Sequence, residues 1–190
     1  MSTAAEHLRF TADDYLAWEA MQPDKHEYLR GEVFAMTGTT DRHNEILLNC
    51  VVALRPQLQH SPCRLYAADV KLRVEAADAF FYPDVMVTCS AADAADPLAK
   101  RDPVLLVEVL SPATAAYDRG DKFAAYRKLP GLREYLLVDT DSRRCDLYRK
   151  GGDGLWVLHP FEPGQALRLE SVALDLPASL LWAEVPGATG

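Results

Sequence analysis

The sequence predicts a single-domain α/β protein: a mixed central β-sheet flanked by α-helices, with a C-terminal β-hairpin. Three observations predict it. The run PVLLVEVLSP (103–112) is aliphatic at six of the seven positions from Val104 to Leu110 and apolar on both alternating faces. A strand of that kind is covered on both sides. The stretch DRHNEILLNCVVALRPQL sets Ile46, Leu47, Val51 and Leu54 on one helical stripe. Strand-like and helix-like stretches follow one another over 190 residues, a length that suits one domain with a substantial core.

The elements follow in order. A Thr-Ala-Asp-Asp start and the spacing of Tyr15, Leu16 and Trp18 predict a helix over 12–21. HEYLRGEVFAMTG reads as two short strands joined at Arg30-Gly31. The second helix begins after Gly38 with Asp41 as its N-cap. Four strand-like runs come next: RLYAADVKLRV, FFYPDVMVTC, PVLLVEVLSP and REYLLVDT. Between the last two, AAYDRGDKFAAYRKL is a helix bounded by Ser-Pro and Pro-Gly. CDLYRKGGDGLWVLHPF is a hairpin turning on Gly-Gly-Asp-Gly.

Composition narrows the function. The net charge of −8 argues against a general nucleic-acid coat, while leaving room for a local basic groove. Arg119, Arg127, Lys128, Arg143, Arg144, Arg149 and Lys150 could supply such an edge or be solvated surface charge. Cys50, Cys63, Cys89 and Cys145 are scattered, which fits reduced thiols better than a disulfide frame or a zinc site. With no apolar signal region at the N-terminus and no membrane-length apolar run, the expected location is the cytoplasm, with no membrane partner.

One residue does not suit its surroundings. Glu108 lies inside the doubly covered strand, and a buried carboxylate must be neutral, paired or bound to a cation. A second acid, Asp84, follows Pro83 at the start of VMVTC, where it can reach the same sheet end. Two such carboxylates repel unless one is protonated or a cation lies between them, and oxygen ligands suit Mg²⁺ or Mn²⁺. Asp118, Lys122 and Tyr126 stand at i, i+4 and i+8 on the following helix. They are either a surface ion pair worth about 0.3–0.5 kcal/mol with a tyrosine beneath it, or a face turned towards Glu108.

YPDVMV, LLVEVLSPAT and YDRGDKFAAYRKLPGLREYLLVD, in that order, resemble the Uma-two family of bacterial restriction-endonuclease-like proteins, within the PD-(D/E)XK nuclease superfamily. HEYLRGEVFAMTGTTDRHNEI extends the likeness, which runs over about residues 10–182 of one nuclease-like domain spanning 1–190. The resemblance implies a restriction-endonuclease-like fold and a metal-dependent endonuclease cutting phosphodiester bonds, in DNA before RNA. It assigns Asp84 and Glu108 as Mg²⁺ (or Mn²⁺) ligands, and Glu27 as the acid that many members bring from an N-terminal helix. The superfamily lysine, two residues after the glutamate, is replaced here by Leu110. In this branch it is relocated to Lys122, with Lys71 of ADVKLRV as the second candidate.

The expected catalytic set is therefore Asp84, Glu108, Lys122 and Glu27. His43 is read as an ordinary first-turn residue. Nucleic acid is the expected partner, and a homodimer is a candidate assembly. The alternative is a catalytically inactive nuclease-fold module that binds nucleic acid or serves as structure. No Gly-rich phosphate loop or Ser/His/Asp order supports a small-molecule hydrolase.

Overall fold

The computed structural model describes residues 10–36 and 38–186. Helix α1 (Ala12–Glu19) opens with a capping box in which Thr11 and Asp14 each satisfy the other's backbone N–H. Strands β1 (His26–Leu29) and β2 (Glu32–Ala35) form the first hairpin. Helix α2 (Asp41–Gln57) follows, and its N-cap is Thr40 rather than Asp41: the Thr40 hydroxyl accepts the His43 N–H.

The run RLYAADVKLRV is two strands, β3 (Arg64–Ala67) and β4 (Lys71–Val74), separated at Ala68, which has φ of 47°. FFYPDVMVTC likewise divides into β5 (Ala79–Phe81) and β6 (Val85–Thr88). After α3 (Ala91–Ala95) come β7 (Ala99–Lys100) and the long β8 (Pro103–Leu110). The expected helix is three pieces: α4 (Ala115–Tyr117), a π-helical turn over Asp118–Lys122, and α5 (Phe123–Tyr126). Strand β9 (Glu134–Asp139) and the hairpin of β10 (Cys145–Lys150) and β11 (Trp156–Phe161) follow. A small ribbon, β12 (Leu167–Leu169) with β13 (Leu174–Leu176), precedes α6 (Ala178–Leu181).

The main sheet is mixed, with order β11-β10-β9-β8-β6-β3, and β8 is central, parallel to β9 and antiparallel to β6. Alternation along β8 divides the core. Leu105, Val107 and Val109 pack with α2, α6 and the β12–β13 ribbon, while Leu106 and Leu110 pack with Phe123, Tyr126, Leu72 and Phe81. The second face is thus covered by a further sheet, order β2-β1-β5-β4-β7, together with the α4–α5 segment. Helices lie on both faces, as expected; the second sheet was not expected, and the β3/β4 and β5/β6 breaks send the chain from one sheet to the other. Pro83 and Asp84 form the second of these crossings.

One further expectation is corrected. Cys63 and Cys89 are joined in a disulfide, because the β3–β6 register of Arg64 with Thr88 sets the next residues outward opposite each other. Cys50 and Cys145 are buried thiols. The glutamate of EYLLVD, Glu134, is fully buried and structural: it accepts the N–H groups of Glu170 and Ser171 and pairs with Arg149, tying β9 to the turn after β12. Among the described residues no helix is long and apolar enough to cross a membrane.

Candidate active site

The site forms where the two sheets meet. Asp84 and Glu108 stand next to the Val85–Val107 pair of the antiparallel β6–β8 register, so they lie across from each other at one end of the main sheet. The Asp84 N–H points at Glu108 Oε2 (3.4 Å), and Asp84 Oδ2 accepts the Val109 N–H (2.7 Å). Each acid is thus held by the backbone beside the other.

Lys122 lies at the centre. Its Nζ is 3.0 Å from Glu27 Oε1, 3.1 Å from Glu108 Oε1 and 3.5 Å from Asp118 Oδ1, with only 6% of the residue exposed. The Tyr126 hydroxyl donates to the same Glu108 oxygen at 2.8 Å. The Asp118–Lys122–Tyr126 face therefore looks into the protein, and its reading as a surface ion pair is wrong. Glu27 comes from strand β1, not from a helix, and also accepts the Tyr82 N–H (3.3 Å). The second candidate, Lys71, lies above the rings of Tyr15 and Tyr82, while Asp69 pairs with Lys25. Leu110, at the usual lysine position, is buried against Phe123 and Leu137. Among the described residues the structure brings Asp84, Glu108, Lys122 and Glu27 together and shows no ion pair between Lys71 and Glu108.

His43 is the residue that the sequence reading left out. Its Nε2 is 3.2 Å from Asp84 Oδ2, and its buried Nδ1 has no partner among the described residues. The signal was present, since His43, Leu47, Cys50 and Leu54 continue one stripe of α2, so the buried face reaches its first turn.

Burial raises the Glu108 carboxyl well above the usual range; the nearby Lys122 charge opposes this, and Asp84, Asp118 and Glu27 add to it. Burial also raises Asp118. Burial pushes the Lys122 ammonium down, but the carboxylates of Glu108, Glu27 and Asp118 outweigh it and hold the ammonium well above its ordinary value. Three carboxylates thus share one ammonium, with Asp84 as a fourth acid beside them.

That excess of acid fits a hard divalent cation. Among the described residues Asp84 Oδ1 accepts no hydrogen bond, and Glu108 Oε2 accepts only the long one from Asp84. No three His, Cys, Asp or Glu side chains are set out as a full ligand cage among those residues. Mg²⁺ commonly takes one or two carboxylates and keeps several waters, so a full cage is not needed.

Three of the seven cations of the candidate basic edge are paired with acids. Arg119 faces Asp139 and Asp146, Arg144 faces Glu162, and Arg149 faces Glu134 and Glu170. Arg143 lies over Trp182 and donates to the Val185 and Pro186 carbonyls, while Lys128 and Lys150 donate to the carbonyls of Ala76 and Pro130. Arg127 lies over the Phe123 ring.

The profile of the Uma2 family, described as "Putative restriction endonuclease", matches residues 12–180. The chain belongs to the Uma2 family. It is 35% identical to the uncharacterized protein slr1290 of Synechocystis sp. over 181 residues, 95% of each chain. It is 34% identical to sll1609 of the same organism over 160 residues, 83% of this chain and 90% of that one. A crystal structure from Anabaena variabilis, described as "a putative nuclease belonging to DUF820", superposes with a TM-score of 0.77 at 19% identity, covering 93% of this chain and 99% of that one. The fold is restriction-endonuclease-like, and the family and its structural neighbour both carry nuclease descriptions.

Proposed function

We propose that this Uma2 chain is a metal-dependent nuclease that hydrolyses phosphodiester bonds, in DNA, with Asp84 and Glu108 holding Mg²⁺ or Mn²⁺. The observation that carries the reading is the convergence of Asp84, Glu108, Glu27 and Lys122 at the crossing between the sheets. When bound, the ion supplies a Lewis acid that polarises a phosphate oxygen and acidifies water.

The rest is done by the chain itself. The Val109 N–H and His43 fix Asp84, leaving its other oxygen outward. Tyr126 and Lys122 hold one oxygen of Glu108, so the second faces Asp84. Lys122 supplies positive charge beside the phosphorus, where negative charge grows in the transition state. Glu27 and Asp118 keep that ammonium charged and aimed.

A second reading, an inactive nuclease-fold module that binds nucleic acid or serves as structure, draws on the three acid contacts of Lys122, a network that satisfies itself within the protein. Incubation with plasmid and single-stranded DNA, with and without Mg²⁺ or Mn²⁺, separates the two. Cleavage that EDTA and Asp84→Ala both abolish supports the nuclease. Metal-independent nicking, or equal nicking by Asp84→Ala, overturns it.

A further inference from the structure

Beside the acid cluster stands an aromatic pair to which the chemistry above gives no task. Phe34 is directly opposite Glu27 in the β1–β2 register, so both side chains project from one face of the second sheet. Glu27 is buried against Lys122, whereas Phe34, one strand further out, is 41% exposed. The Tyr117 ring is 6.2 Å from Phe34, and Tyr117 directly precedes Asp118. The Tyr117 hydroxyl is buried with no hydrogen-bond partner among the described residues. Burial raises its pKa, followed by the charge of Glu27, so it remains a donor at any ordinary pH. Met36, two residues beyond Phe34, is also exposed.

An exposed ring backed by a second ring, at the rim of a charged centre, offers an apolar face to a flat partner. Arg42 pairs with Asp141 and Arg119 with Asp139 and Asp146, so these arginines are committed to acids. Stacking does not require free positive charge, and it requires a base that is not already stacked in a duplex.

We infer that Phe34 and Tyr117 form a nucleotide subsite beside the acid cluster, which takes an unpaired base of a single-stranded segment. Phe34 stacks on the base, and the Tyr117 ring packs behind Phe34. The inference rests on the nuclease reading for the position of the phosphate, and it narrows the substrate to single-stranded or unpaired nucleic acid. Neither residue is catalytic: each positions the strand.

The test uses a short oligonucleotide carrying 2-aminopurine, as DNA and as RNA of one sequence, single-stranded and in duplex. Binding is measured in EDTA, where no metal-dependent cutting occurs. Wild type is expected to quench the probe and to bind the single strand more tightly than the duplex, and the DNA and RNA arms show whether the sugar matters. Loss of one base–aromatic stack weakens binding roughly five- to a hundredfold. Phe34→Ala and Phe34→Leu should both show that loss with an unchanged Tm, the leucine because it keeps apolar bulk without the ring. Phe34→Trp should restore both quench and affinity. Wild-type affinity in Phe34→Leu, equal affinity for duplex, or no binding at all overturns the subsite. Metal-dependent cleavage alongside any of those results leaves the nuclease reading standing alone. Quenching and single-strand preference without any cleavage keep the subsite and remove the nuclease.

Discussion

Replacement of Lys122 by methionine tests the cluster most directly. The substitution keeps the apolar stem and removes the ammonium that lies within 3.5 Å of Glu27, Glu108 and Asp118. As an exposed helical pair, Asp118–Lys122 would contribute less than about 1 kcal/mol. Buried as it is, removal of the cation leaves carboxylates without their counter-charge, and breaking such a pair costs about 3–5 kcal/mol. In a chain of this size each kcal/mol moves Tm by about 2–4 °C, so Lys122→Met should melt roughly 6–20 °C below wild type. The loss has a direction in pH: without the ammonium, Glu108 and Asp118, whose carboxyls burial already raises, fold more easily once protonated, so the gap from wild type should narrow as pH falls from 8 towards 5. Adding Glu108→Gln should recover part of the loss, because the two residues share one contact. Urea and thermal melts of the four proteins in EDTA measure this. A Lys122→Met protein within about 2 °C of wild type at pH 8, or a double variant that is simply additive, would refute the central role of the ammonium.

Millimolar Mg²⁺ should raise the Tm of wild type, because an ion bound only by the folded state stabilises it by mass action, and Asp84→Asn should abolish that rise. Differential scanning of both proteins with and without the ion checks it; an equal rise in each places the ion elsewhere. Asp96 gives an independent pH prediction. The N–H of Leu98, the Arg101 side chain and the N–H of Ala99 hold its carboxyl down at about 2. A depressed acid stabilises the fold above its unfolded value and loses that contribution as pH falls through the folded one. The stability gap between wild type and Asp96→Asn, followed by urea denaturation, should therefore be full above pH 4 and close towards pH 2.

Glu108 shows how far the sequence alone could reach. A carboxylate in a doubly apolar strand demanded a partner, and the residues it pointed to, Asp84 and the face of the following segment, lie beside it. What was hidden was the path of the chain. FFYPDVMVTC is one apolar run to the eye, yet it belongs to two sheets, because hydrophobic alternation reports burial and not which layer does the burying. The same limit hid the depth of Lys122. A D-x-x-x-K pair reads as solvated until a second sheet is known to lie over it. His43 was legible as the continuation of the α2 stripe but was discounted as a helix start, where polar residues are ordinary. The Cys63–Cys89 bridge follows from the β3–β6 register, which spacing along the chain does not encode.

The crossing at Pro83–Asp84 has a consequence for partly structured forms of the protein. Glu27 belongs to one sheet and Glu108 to the other, and Lys122 clasps them from the segment packed between. A state that keeps both sheets but loses their mutual packing retains its far-ultraviolet circular dichroism and has no assembled centre. Secondary structure and an assembled acid centre are therefore separable in this molecule. Leu72, Phe81, Met86 and Leu106 thus govern the assembly of the centre through the seam they fill.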